Sequence, residues 1–202
     1  GGSVQHTYEH ALRGFAGQLP AAALNALRNH PSVAYIEEDQ VMYATGTQNN
    51  ATWGLDRIDQ RARPLDTKYT YGNTGAGVRA YIIDTGIRLT HADFGGRAVS
   101  GFDAVTAGGS AADCNGHGTH VAGTVGGGVW GVAKNVTLVA VRVLDCNGSG
   151  TTSGVIAGVD WVTAHHVKPA VANMSLGGGA STALDGAVQN SINAGVQYAI
   201  AA

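Results

Sequence analysis

Five apolar, β-branched runs alternate with stretches of small residues along most of this chain, and that alternation most narrows the folds open to it. The runs cover residues 78–83, 99–105, 137–144, 170–176 and 196–201. The small-residue stretches, at helical spacing, cover 118–125, 152–165 and 183–194. A strand that is apolar on both faces needs cover on both faces, and strands separated by helices pair as parallel neighbours. Right-handed crossovers then place helices on both sides of the sheet. The expected fold class is therefore α/β, a doubly wound parallel sheet. Ligands of such sheets bind at the carboxyl ends of the strands. Asp84, Asp145 and Ser175-Leu176-Gly177 all fall there.

Composition closes off several function classes. Of the 202 residues 44% are apolar, enough for a core, and only 13% are charged, about half the usual share. A net charge of −2 offers no field for gripping nucleic acid or anionic lipid. No run of about 18 apolar residues reads as a membrane span. The start, Gly1-Gly2-Ser3-Val4, carries no leader segment, so any export signal is expected outside these residues. Polarity comes from Ser, Thr, Asn, Gln and 31 Gly, which suits a secreted hydrolase.

Residues 1–45 read as a separate small unit, with 46–202 as the main domain. Residues 4–19 suggest a strand and a turn. Pro20 opens a short helix over 21–30 with Leu24 and Leu27 on one face, and Pro31 stops it. Val33-Ala34-Tyr35-Ile36 and Val41-Met42-Tyr43 read as two more strands around an acidic turn. Residues 46–53 are polar and read as a loop. At the other end, the run 196–201 is a core strand with nothing after it to cover its second face. That suggests a longer parent chain.

Asp84 ends an apolar run and precedes Thr85-Gly86. It is either a turn-capping carboxylate or the group that orients a histidine and stabilises its imidazolium. His117 lies between Gly116 and Gly118, so a substrate and a nucleophile can approach its ring. It is either a structural histidine or a general base. His117 and His120, with Asp113 or Asp84, also admit a metal site, although helical zinc pairs favour i,i+4 spacing. Ser175-Leu176-Gly177 and Gly148-Ser149-Gly150 are plain loop glycine or bare edges for an extended peptide. Neither Ser153 nor Ser175 stands in a nucleophile context, and no G-x-S-x-G elbow occurs. Cys114 and Cys146 match no zinc spacing and are left open as one disulfide or two buried thiols.

Three motifs together, D-T-G-I after an apolar strand, N-G-H-G-T-H-V-A-G, and A-N-M-S-L-G-G-G, resemble the subtilisin-like serine proteases, in particular the proteinase K and aqualysin branch. The resemblance runs from about Trp53 to Ala202. It implies a subtilisin-like sheet, incomplete at its C-terminus, preceded by part of a small α+β ferredoxin-like propeptide that lacks its first strand and helix. It makes Asp84 the triad aspartate and His117 the base. It makes Gly148, Ser149, Gly150, Ser175, Leu176 and Gly177 the walls of the peptide groove, and Cys114–Cys146 a disulfide. Asp56, Asp59, Gln60 and Asp66 resemble a structural calcium site, with Lys68 where a neutral ligand is more usual. The implied partners are polypeptide substrates and the chain's own propeptide, in a secreted monomer. The family's oxyanion asparagine and nucleophilic serine would both follow Ala202. The chain alone is therefore expected to be inactive and to keep residues 1–45 attached, Met42-Tyr43-Ala44-Thr45 occupying the cleft.

Overall fold

The computed structural model describes residues 2–39 and 46–201. The chain divides into two compact units, 1–43 and 44–202.

In the first unit β1 (Ser3–Tyr8) pairs antiparallel with β2 (Gly14–Gln18), and α1 (Ala21–Arg28) follows. Pro20 supplies the extended residue before α1, at φ −66°. None of the residues 2–39 is buried. The expected strand at Val33-Ala34-Tyr35-Ile36 does not form: the segment is irregular, and Tyr35 is 69% exposed. An apolar run makes a strand only where a ladder partner exists. The run Val41-Met42-Tyr43, and the cleft segment placed at 42–45, lie outside the described residues.

The second unit contains the anticipated sheet. Five parallel strands lie in the order β6-β7-β5-β8-β9. They are β5 (Arg79–Asp84), β6 (Ala98–Asp103), β7 (Thr137–Arg142), β8 (Ala170–Met174) and β9 (Val196–Ile200). β5 is central and buried from Ala80 to Asp84. Its side chains alternate between two cores, as strand geometry demands. Tyr81 and Ile83 pack with Val155, Val159, Val162 and Val188 of α4 (Thr152–His165) and α5 (Thr182–Ala194). Ala80 and Ile82 pack with Ala122 of α3 (His117–Gly126) and with Phe94. Helices therefore cover both faces. The run at 196–201 is less of a core strand than its composition suggests, since only Val196 of β9 is buried. No helix among the described residues is long and apolar enough to cross a membrane.

The expected loop at 46–53 is partly ordered instead. β3 (Gly46–Asn49) pairs antiparallel with β4 (Lys68–Tyr71), and α2 (Trp53–Ile58) lies between them. No alternation announces β3, because its sequence is Gly-Thr-Gln-Asn. Its anchor is remote: the Lys134 ammonium donates to Gln48 Oε1 and to the Val129 carbonyl. It also lies 5.3 Å from the Tyr69 ring centre.

Candidate active site

Asp84 is the last residue of β5 and is fully buried. His117 is the first residue of α3, and its side chain is 49% exposed. Their contact is short: His117 Nδ1 lies 2.7 Å from Asp84 Oδ1. An ionised carboxylate only accepts hydrogen bonds, so in the neutral ring Nδ1 carries the proton and Nε2 presents a lone pair. Among the described residues Nε2 has no hydrogen-bond partner. Asp84 Oδ1 also accepts from the Thr85 amide at 2.7 Å, while Oδ2 is buried and unpartnered. The strand thus fixes the carboxylate, and the carboxylate fixes the ring.

The loop before α3 is held by Asp113. Its Oδ1 accepts from the amides of Asn115 and Gly116 and from Thr85 Oγ1, each at 2.9 Å. Its Oδ2 accepts from the amide and hydroxyl of Thr119. The residue that caps α3, Gly116, has φ +107° and offers no side chain. Glycine takes that conformation without strain, and Asp113 does the capping from three residues upstream. Burial alone would raise the Asp113 carboxyl. The hydrogen bonds from Gly116, Thr119 and Asn115 outweigh it and hold the group below its ordinary value. A carboxyl lowered in the fold stabilises above its unfolded value and loses that contribution as pH falls through the folded one. Asp113→Asn is therefore expected to melt below the parent chain by a constant margin from neutral pH down to about pH 5. The margin should then shrink below about pH 4. Thermal melts of both chains across that range check this.

A disulfide joins this loop to the next strand end. Cys114 and Cys146 are bonded, with Cα atoms 5.0 Å apart. The Arg142 guanidinium donates to Cys114 Sγ at 3.1 Å and pairs with Asp103 at 3.3 Å. Asn115 Nδ2 donates to the Cys146 carbonyl at 3.0 Å. Beyond it Asp145 Oδ1 accepts from the Asn147 and Ser149 amides, shaping an exposed turn through Gly148, Ser149 and Gly150. This turn is thereby tied to the loop carrying His117. Ser175 stands two residues beyond the last β5–β8 pair, Ile82↔Asn173. Ser175, Leu176 and Gly177 follow directly from β8, and Gly177 is exposed with open space around its α-carbon.

Ser153 and Ser175, the two serines weighed as nucleophiles, bond away from His117. Ser175 Oγ accepts from Asn173 at 2.9 Å, and Ser153 Oγ shares a hydrogen bond with Thr151. The metal grouping does not assemble: Asp113 is filled with donors, and His117 Nδ1 is bound to Asp84. Among the described residues no three His, Cys, Asp or Glu side chains converge. The residues offered to calcium are drawn into hydrogen bonds of their own loop, and no three carboxylates among the described residues converge. Asp56 accepts the amides of Asp66 and Thr67, Asp59 that of Thr70, and Asp66 that of Lys68. Gln60 donates to the Ala62 and Pro64 carbonyls. They brace the 59–70 loop rather than surround one point.

Sequence context does not mark Thr85, Asn115 and Thr119 as parts of the site. The available signal was the close spacing of hydrogen-bonding side chains on either side of His117.

A buried carboxylate on a central parallel strand is hydrogen-bonded to an exposed imidazole that opens a helix, an arrangement able to orient a general base. Comparison with known proteins gives the family. Residues 75–202 match the Subtilase family and residues 1–45 match Peptidase inhibitor I9; the chain belongs to the Subtilase family. It is 65% identical over 202 residues to the Extracellular serine proteinase of Thermus sp. (strain Rt41A), covering 100% of this chain and 49% of that protein. It is 56% identical over 205 residues to Alkaline serine exoprotease A of Vibrio alginolyticus, covering 98% of this chain and 38% of that protein. A crystal structure of a cold adapted subtilisin-like serine proteinase matches with a TM-score of 0.74 at 62% identity. That match covers 75% of this chain and 56% of the other. The chain spans about half the length, or less, of these curated relatives.

Proposed function

We propose that the whole protein is an extracellular serine endopeptidase and that residues 1–202 carry two of its three catalytic groups. The observation that supports this most is the 2.7 Å bond from His117 Nδ1 to buried Asp84, which leaves Nε2 free on an exposed edge. In this reading Nε2 takes the proton of a serine hydroxyl as that oxygen attacks a peptide carbonyl. It then returns the proton to the leaving amine. Asp84 keeps the ring in the Nδ1–H tautomer and stabilises the imidazolium between the two steps. The exposed turn Gly148-Ser149-Gly150 and the segment Ser175-Leu176-Gly177 bind substrate main chain. Residues 1–45 act as the inhibitory propeptide of a monomeric enzyme, with the junction near Thr45-Gly46. A structural calcium at Asp56, Asp59, Gln60 and Asp66 is not proposed, because those side chains are committed to the loop itself.

The serine is assigned to the part of the protein beyond these residues, since no serine hydroxyl among the described residues is hydrogen-bonded to His117. A fluorophosphonate probe tests this. Residues 1–202 alone are expected to remain unlabelled, to cleave no peptide and to keep residues 1–45 attached. The whole protein is expected to label at one serine. Stoichiometric labelling of the 202-residue chain would overturn the assignment.

A further inference from the structure

Asp113 is a carboxylate beside the site for which the proposed reaction has no use, yet its hydrogen bonds are arranged around one residue. The amides at 115 and 116, just before His117, donate to it directly. The amide at 119, two residues after His117, donates to it as well. The amide at 118 donates to Thr85 Oγ1 at 2.9 Å, and that hydroxyl donates onward to Asp113. All four amides flanking His117 are thus bound, directly or through Thr85, to one carboxylate. The fifth, that of His117 itself, donates to Asn115 Oδ1. The Thr119 hydroxyl closes the set from the far side, donating to Asp113 and accepting from the Arg88 amide.

Thr85 gives this arrangement its direction. It is buried and adjoins Asp84, whose Oδ1 accepts its amide. One residue therefore joins the carboxylate that holds the imidazole to the carboxylate that holds the backbone beneath it. A ring half exposed to water keeps a 2.7 Å bond to a buried oxygen only if its Cα cannot drift, because small misplacements of a catalytic group are expensive in rate.

We propose that Asp113, acting through Thr85 and Thr119, is a positioning residue for His117, fixing the backbone on both sides of the base so that Nδ1 stays bonded to Asp84. This rests on the reading of His117 as the base. The ionised carboxylate is the suitable group because five donors converge on it and it brings no proton of its own. An asparagine there turns one acceptor oxygen into a donor facing other donors.

The test is imidazole nitrogen and proton NMR on the 202-residue chain at neutral pH. In the parent chain the ring is expected as the Nδ1–H tautomer, with a slowly exchanging, deshielded Nδ1 proton that Asp84→Asn abolishes. Thr119→Val and Thr85→Val are expected to speed exchange of that proton about tenfold, as loss of one such bond implies, and to populate the Nε2–H tautomer. Asp113→Asn should do the same or more. Thr85→Ser keeps the hydroxyl and is expected to restore parent behaviour, which a general loss of packing would not allow. Methyl signals of Ile82 and Val141 report whether each variant keeps its core. Variants with an intact core and unchanged Nδ1 exchange and tautomer would overturn the positioning role while leaving the Asp84–His117 pair in place. A parent chain whose Nδ1 proton is indifferent to Asp84→Asn would instead remove the reading of His117 itself.

Discussion

Asparagine in place of Asp84 is expected to lower kcat of the whole protein by about 10⁴, with KM nearly unchanged. The size follows from what the carboxylate does. Asp84 Oδ1 accepts from His117 Nδ1 at 2.7 Å in a fully buried position, so ring orientation and tautomer depend on that oxygen. An amide of the same shape still packs at the end of β5. Its nitrogen, turned toward the ring, donates instead of accepting and moves the imidazole proton to Nε2. The lone pair that should take the serine proton is then gone. The proposed substrate walls at Gly148–Gly150 and Ser175–Gly177 do not involve Asp84 side-chain atoms, which is why binding should survive. Steady-state kinetics with a peptide substrate check both halves. A fall in kcat below about tenfold, or a loss confined to KM, would mean that Asp84 does not orient the base.

The pair at this site was readable in the sequence because its two halves carry independent signals. β5 announces itself by an apolar run that ends in a carboxylate, and α3 by a histidine between glycines followed by small residues. The parallel sheet and its two covered faces followed from the same alternation, while the strand order came only with the structure. The resemblance to the subtilisin-like proteases also paired Cys114 with Cys146, which residue spacing left open. The features that the sequence does not announce are made by contacts distant in sequence. β3 is polar and pairs with β4 nineteen or more positions on, held by Lys134 through Gln48. In the sequence Asp113 reads only as a metal ligand, since its spacing shows nearby donors but not that all of them turn inward. The expected strand at 33–36 failed for the converse reason: its composition suits a strand, but a strand also needs a neighbour. The calcium residues matched by type, whereas coordination requires that their oxygens point at a common centre; here the Asp56, Asp59 and Asp66 carboxylates accept backbone amides and Gln60 donates to backbone carbonyls.

A methyl group at position 118 is expected to damage both stability and the site. A Cβ there would stand 2.2 Å from the Gly86 carbonyl oxygen and 3.1 Å from both Asp84 Oδ1 and Thr85 Oγ1. The nearest of these is backbone and has little room to retreat. Gly86 has φ +103°, and the Ile87 amide donates to Ala111 while the Asp113 amide donates to Ile87. The first turn of α3 must therefore move outward, and His117, one residue earlier, moves with it. Overpacking of this kind costs about 3 kcal/mol, or a Tm lower by roughly 6–12 °C for a chain of this size. Gly123 in the same helix gives the contrast, because a Cβ there meets nothing within 4 Å. Gly123→Ala should be neutral or stabilise by up to about 1 kcal/mol through helix propensity and a less free unfolded chain. Thermal melts of the two variants separate a contact effect from a general intolerance of change in α3. Equal Tm values for Gly118→Ala and the parent would mean that the helix start and the end of β5 are not in contact. The route by which the fold brings the imidazole to Asp84 would then have to be a different one.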